Sequence, residues 1–271
     1  MAIRKCVHLG DIHIRTYRMH DEYLDVFKKL MVDLTDLLVD YKREEIRIVI
    51  AGDLVHQKIV ISNEQLMLGT WFIRKLEEIA PVIIIAGNHD LLENNKDRMD
   101  SISPMVQFLF DKNVNYFKES KCYLDENIVW CVYSIFEGNK RPDIEGARVQ
   151  FGDDKTYIGL FHAPVLNAKT DIGYEIDHGV GFEEFEGCDM VMLGDIHKRQ
   201  SFNHKGMPVS YVGSLIQQNF GENVSKHGFL LWDVETKTFT EHDVENKSPF
   251  YQFKIKSLED LENGTEVITN L

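Results

Sequence analysis

Long apolar runs are missing from this sequence. Charged residues interrupt each one before it reaches the length of a membrane span, so no segment is expected to cross a bilayer. Cysteine is scarce, with 4 in 271 residues, and Cys6, Cys122, Cys131 and Cys188 show no thiolate metal spacing. Cys122 and Cys131 stand where a hairpin would set them face to face, but free buried thiols are the better reading. A reducing, cytoplasmic compartment follows as the expectation. Met1-Ala2-Ile3-Arg4-Lys5 passes straight into an apolar strand, which leaves no room for a signal peptide. Basic charge is short as well: 30 Lys and Arg against 44 Asp and Glu leave a net charge of -14. A protein that grips nucleic acid by bulk electrostatics wants the opposite balance. The objection weakens if some of those acids are cation ligands, because bound cations would cancel them locally.

The remaining composition, 44% hydrophobic and 27% charged, suffices for one large α/β domain with or without a small appendage. Strands are predicted over 3–9, 46–50 and 82–86. Between them lie an amphipathic helix over 21–41 and a second over 63–79, the latter capped by Ser62. This alternation reads as parallel βαβ units. A short helix is expected after Pro104. Strands then dominate: 115–117, 122–124, 128–134, 157–161, 190–193, 209–212, and a hairpin of 229–234 with 239–244. The expected architecture is a four-layer α/β sandwich, two mixed β-sheets flanked by helices. Residues 1–247 form its main domain. Residues 248–271 read as strand, helix, turn and strand, too few for a core of their own.

Five apolar runs end in clusters rich in His and Asp. Val7-His8-Leu9 leads into Gly10-Asp11-Ile12-His13, and Ile48-Val49-Ile50 into Gly52-Asp53-Leu54-Val55-His56. Val82 to Ile85 leads into Gly87-Asn88-His89-Asp90, Tyr157 to Phe161 into His162, and Met190 to Leu193 into Gly194-Asp195-Ile196-His197. Ligands gather at strand carboxyl ends in open α/β sheets, so the five clusters can meet in one crevice. Two divalent cations there would clamp the attacking and leaving oxygens of a phosphoryl transfer. Asp53 is the candidate bridge. Asp11, His13 and His197 would complete one cation's shell, and Asn88, His162 and Asp195 the other's. Mixed nitrogen and oxygen donors suit Mn, Fe or Zn better than Mg. His89 is left either to protonate the leaving group or to stabilise its charge, its other ring nitrogen held by Asp90, and His56 for phosphate contact or support. Arg15, Arg18, Lys198 and Arg199 flank the clusters and are either DNA phosphate contacts or solvated surface.

Taken together, Asp11-x-His13, Gly52-Asp53-x-x-His56, Gly87-Asn88-His89-Asp90, His162 and Gly194-Asp195-x-His197 resemble the calcineurin-like metallophosphoesterase superfamily. Within it the chain is most similar to the SbcD-type nuclease subunit of double-strand-break repair complexes. Gly194-Asp195-Ile196-His197-Lys198 and Tyr211-Val212-Gly213-Ser214-Leu215 carry that finer likeness. Lys226-His227-Gly228-Phe229 and Ser248-Pro249-Phe250 add to it, the last opening a capping domain in that family. The resemblance implies a Mn2+-dependent nuclease (Mg2+ as second choice), an exonuclease on duplex DNA and an endonuclease on single strands or hairpins. It also implies a homodimer and an SMC-like ATPase partner of the SbcC type, whose docking region is expected to be missing from these residues. Compact versions occur in bacteriophages, which would place the chain in a host cytoplasm. Leu66, Met67, Trp71 and Ile73 with Met105, Phe108 and Leu109 could supply a dimer patch, or could face the domain's own core. The rival readings are a phosphoprotein phosphatase, a small phosphodiesterase and a non-catalytic metal scaffold; a proton donor such as His89 argues against the scaffold.

One position departs from the pattern. The last motif of that family normally reads Gly-His-x-His, and here its first histidine is Asp195. A further carboxylate favours hard cations such as Mn2+ or Mg2+ over Zn2+. Replacing it, Asp195→His, is therefore expected to move the order of activation across a series of divalent cations toward Zn2+; an unchanged order would contradict the assignment.

Overall fold

The computed structural model describes residues 1–58, 60–107, 109, 113–251 and 258–259. In chain order its elements are β1 (Lys5–Leu9), α1 (His20–Leu37), β2 (Ile46–Ala51), α2 (Asn63–Ile79), β3 (Val82–Ile85), α3 (Ile102–Gln107), β4 (Val114–Tyr116), β5 (Cys122–Asp125) and β6 (Ile128–Tyr133). There follow α4 (Ile144–Phe151), β7 (Thr156–His162), β8 (Met190–Gly194), β9 (Gln200–His204), β10 (Met207–Tyr211), β11 (Gly228–Asp233) and β12 (Thr238–Asp243).

The central strands are apolar on both faces because each face enters a different core, the pattern of sheets covered on both sides. In β2, Val49 points to the second sheet while Ile48 and Ile50 point to the helices; in β3, Ile83 and Ile85 divide from Val82 and Ile84 in the same way. In β6, Ile128, Trp130 and Val132 face the first sheet, and Val129, Cys131 and Tyr133 face outward onto Ile144 and Ala147 of α4. Period-two alternation thus builds three apolar layers from two sheets. The sheets run β12-β11-β1-β2-β3-β4 and β5-β6-β7-β8-β10-β9. Their inner strands are parallel, and β11, β12, β5 and β9 pair antiparallel at the margins, so both sheets are mixed. This is the expected four-layer sandwich.

The helices form where the apolar spacing demands. Tyr23, Val26, Phe27, Leu30 and Leu34 recur at helical intervals along the buried face of α1. Phe27 stacks on Phe72 of α2, ring centroids 4.0 Å apart. Ser62 caps α2 as expected, its Oγ accepting the Gln65 N–H at 3.1 Å. Two elements were not anticipated. α4 is short, and β9 is an edge strand of alternating polarity whose inward residues are only half-buried. Cys122 and Cys131 do oppose each other across the β5–β6 hairpin, with sulfurs 3.7 Å apart and both thiols free.

Within the suggested dimer patch, Ile73 and Met105 are fully buried in the chain's own core, so neither can meet a partner. Leu66, Trp71 and Leu109 pack partly against that core, Met67 is exposed, and Phe108 lies outside the described residues. Most of the elements expected beyond Pro249 also lie outside them, although Phe250 is tied back to Gln217 by two hydrogen bonds of 2.8 and 3.1 Å.

Apolar contact alone does not fix the sheets at their β2–β5 corner. Arg47 of β2 reaches across and donates to both oxygens of Asp125 on β5, Nε at 2.8 Å and Nη2 at 2.7 Å. The Trp130 indole donates to the same carboxylate at 3.1 Å. Asp125→Ala would leave a buried guanidinium unpaired. It is expected to cost about 3 kcal/mol in urea unfolding, and a loss below about 1 kcal/mol, the worth of an exposed pair, would contradict this role.

Candidate metal centre

The strand ends do not simply stop; they turn back on themselves. After β1, residues 10–14 run beside residues 52–55 after β2. The Asp11 N–H donates to the Gly52 carbonyl at 3.2 Å, His13 to Asp53 at 2.9 Å and His56 to Ile14 at 3.0 Å. Asp11, His13, Asp53 and Asp195 all take positive φ, at 49°, 51°, 54° and 97°. Left-handed backbone at non-glycine residues costs on the order of 1 kcal/mol each and gathers at functional sites. Two glycines allow the chains to close in. A Cβ at Gly87 would collide with the Asp53 carboxylate, and one at Gly52, at φ +90°, with the His162 ring.

All seven predicted ligands meet in this crevice. Asp53 lies at its middle, with Oδ2 3.2 Å from His13 Nε2 and Oδ1 3.3 Å from His162 Nε2. Donor atoms of Asp11, His13 and His197 lie within 4.8 Å of one another, as do those of Asp11, Asp53 and His162. His13 and His197 turn their Nε2 atoms toward each other at 2.9 Å. On the other side, His162 Nε2 is 3.3 Å from Asn88 Oδ1 and 3.9 Å from Asp195 Oδ1. Asp11 therefore belongs to both groups. Its Oδ1 accepts the Asp195 N–H at 2.9 Å, while its buried Oδ2 has no hydrogen-bond partner. An orphaned carboxylate oxygen, a second carboxylate facing two imidazoles, and a ring of N and O donors fit a pair of divalent cations.

Electrostatics point the same way. Burial pushes the Asp11 carboxyl up to about 6, against the pull of His162 and His197. Burial also works against Asp53, but His162 above all holds it well below the usual carboxylate range. Reciprocally, His162 resists its own burial because Asp53 lies opposite, and it sits well above an ordinary imidazole. His197 is likewise raised to about 9 despite burial, by Glu222 and Asp11. Without cations, protons on these rings carry the positive charge that the clustered acids require.

The flanking residues divide. His89 and His56 join the crevice, forming a third imidazole group with His13 in which His13 Nδ1 and His56 Nδ1 lie 3.2 Å apart. Asp90 does not orient the His89 ring, contrary to expectation. It is fully buried and accepts the N–H groups of Val55 at 3.0 Å and Gly87 at 2.8 Å, bracing the two ligand loops. The His56 carbonyl holds His89 instead, accepting from Nδ1 at 2.6 Å. Arg199 is also misplaced as a DNA contact. It is only 8% exposed and is spent on Asp243, Glu241 and two carbonyls, because it bridges the second sheet to β12. Arg18 is exposed, Lys198 is half-buried, and Arg15 donates to the Gln218 carbonyl at 2.9 Å. Sequence reasoning missed Glu222, which takes the His197 Nδ1–H at 2.8 Å. A lone Glu in a loop far from any ligand motif gives no signal.

The sequence profile of the calcineurin-like phosphoesterase family matches residues 4–199, and the chain belongs to that family. It is 37% identical over 259 residues to protein R555 of Acanthamoeba polyphaga mimivirus, a match covering 93% of this chain and 19% of that protein. The chain thus spans about a fifth of that relative's length. Solved structures are more distant. Phosphopantetheinyl hydrolase PptH from Mycobacterium tuberculosis is 11% identical, with 78% of this chain and 89% of that one covered at a TM-score of 0.44. An archaeal phosphodiesterase is 13% identical, with 88% and 98% covered at 0.43. NAD nucleotidase NadN from Haemophilus influenzae is 11% identical, with 99% and 56% covered at 0.46. At that distance none of them speaks to this chain's substrate.

Cation binding must expel the protons that these rings and carboxyls hold, so affinity should depend on pH with a definite sign. His197 is protonated below about 9 and Asp11 below about 6 in the cation-free protein. Between those limits, affinity for Mn2+ is expected to rise roughly tenfold or more per pH unit, with proton release, and to flatten above them. Calorimetry in buffers of different ionisation enthalpy checks this; an affinity independent of pH would contradict the ligand set.

Proposed function

We propose that this calcineurin-like phosphoesterase is a DNA nuclease, acting on duplex ends and on single strands or hairpins as the nuclease subunit of an SbcCD-like repair complex. The observation that carries the reading is the Asp53 carboxylate set between two imidazoles, with His89 anchored beside it. Asp11, His13, His197 and Asp53 would hold one divalent cation, and Asp53, Asn88, His162 and Asp195 a second, Mn2+ before Mg2+. Such a pair, when bound, stabilises both the attacking and the leaving oxygen of an in-line displacement at phosphorus.

The chain's own residues supply the rest. The His89 N–H donates to Asp53 Oδ1 at 2.8 Å, and its Nδ1 is fixed on the His56 carbonyl at 2.6 Å. With Nδ1–H held there, Nε2 is the ring's remaining nitrogen, and the imidazolium form would pass its Nε2 proton to the departing alkoxide and be left as the neutral Nδ1–H ring. Burial, and then Arg15, lower His56 to about 4, so it meets substrate as a neutral ring. Asp90 acts at one remove, through the backbone bonds that keep residues 53–56 and 87–90 together.

Support for a polymeric substrate comes from the rim. The Arg15–Gln218 bond brings the loop after β1 beside the loop 217–220, and each carries an exposed aromatic: Tyr17 is 78% exposed and Phe220 58%. Exposed rings of this kind stack on bases of single strands. A cleft of about 320 Å³ opens next to His197 and Asp195, lined by Lys198, Ile172 and Asn219. The net charge of -14 favours a second reading, a phosphodiesterase on small nucleotide esters. The motif likeness extends the proposal to a homodimer and to an SMC-like ATPase of the SbcC type.

With Mn2+, the protein is expected to release nucleotides from end-labelled duplex DNA and to nick hairpins, leaving a phosphopeptide untouched. His89→Ala should lower kcat by about a hundredfold or more while still binding Mn2+. Phosphopeptide turnover without DNA cleavage would make it a phosphatase, and turnover of small diesters alone would favour the second reading.

A further inference from the structure

Each histidine ligand must have its second ring nitrogen held if the first is to face a cation. His162 meets this through the Ala51 carbonyl, 2.7 Å from Nδ1, and His13 through His56. His197 is different. Its second nitrogen meets a carboxylate, and that carboxylate is buried, with 5% of its side chain exposed. Both of its oxygens are fully used. Oε1 accepts from His197 Nδ1 at 2.8 Å and Asn219 Nδ2 at 2.9 Å; Oε2 accepts from the Gln218 N–H at 2.9 Å and Ser214 Oγ at 3.2 Å.

We propose that Glu222 is the positioning residue of the metal centre: it fixes the rotamer and tautomer of His197 and so sets the affinity of one of the two cation sites. The inference rests on the metal-centre reading and adds a residue to it. Burying an acid carries a cost that an apolar replacement often avoids; Asp90 bears it to brace two loops, whereas Glu222 also meets the ring of a candidate ligand. Three of its four donors, on Ser214, Gln218 and Asn219, would serve that purpose alone. The fourth gives the acid its reason. Nδ1–H pointed at Glu222 leaves the Nε2 lone pair aimed at His13 Nε2 and Asp11, where the first cation would sit. A charged acceptor also makes that imidazole a stronger donor than one held by a carbonyl. Glu222 further joins His197 to the loop that Gln217 and the Phe220–Phe250 contact, centroids 5.0 Å apart, tie to the chain at Phe250.

The test is calorimetric titration of Mn2+ into the full chain and three variants. Wild type is expected to bind two ions. Glu222→Ala should weaken one site about 10- to 100-fold and leave the other within threefold. Glu222→Gln keeps an acceptor for Nδ1–H and should fall between the two, which also serves if Glu222→Ala does not fold. Ser214→Ala removes the hydroxyl bond to Glu222 Oε2 but keeps both the His197 Nδ1–Glu222 bond and the Ser214 N–H bond to the His197 carbonyl, and should stay within threefold of wild type. Two wild-type affinities in both Glu222 variants would overturn the proposal and leave the metal centre standing. A loss in Ser214→Ala as large as in Glu222→Ala would reduce Glu222 to a loop brace and overturn it equally. A wild type that binds no Mn2+ would overturn the centre itself, and this role with it.

Discussion

One carboxylate, that of Asp53, faces two imidazoles with its two oxygens, and the ends of the central strands are shaped around it. A buried acid in that position is tolerable only among positive charges. The surrounding chain makes concessions to bring them close. Gly52 and Gly87 give up side chains that would strike His162 and Asp53, and four of the candidate ligands accept left-handed backbone. Asp90, buried and pushed up to about 7 by burial and by Asp53, accepts N–H bonds from both ligand loops. Each of these is a local loss of stability that the apolar layers on either side of the sheets must offset. Trp130 and Trp232, fully buried between the sheets, are among the side chains that do so.

The sandwich explains why five distant segments can meet. Parallel strands β1, β2 and β3 in one sheet and β7 and β8 in the other point their carboxyl ends the same way, and the apolar layer between the sheets holds those ends together. His162 from the second sheet reaches the Ala51 carbonyl of the first. Contacts that join the two sheets at the site are thus themselves made by the candidate ligands, as Asp195 N–H to Asp11 Oδ1 also shows. Domain packing and chemistry are not separable here.

Much of this was legible in the sequence. Unbroken apolar runs ending in Gly revealed buried strands, and the polar residues after them revealed the crevice, because both depend on local patterns of two to five residues. α2 and its Ser62 cap could be placed for the same reason. Legibility failed where a role is set by contacts that no local pattern records. Arg199 resembles a free cation in sequence, yet Asp243 is 44 residues away and 2.6 Å distant. Asp90 follows His89 directly, yet its carboxylate serves the backbone of Gly87 and Val55. Glu222 has no motif at all and meets His197 through a loop whose course no local pattern fixes. β9 escaped notice because an edge strand has only one neighbour and needs no apolar run.

A binuclear centre at these strand ends requires two cations sharing Asp53. Anomalous scattering from crystals of the wild-type protein soaked in Mn2+ measures this directly. Two peaks are predicted, one beside each oxygen of Asp53, the first among Asp11, His13 and His197 and the second among Asn88, His162 and Asp195. No peak beside Asp53, or a single ion bound elsewhere, would contradict it.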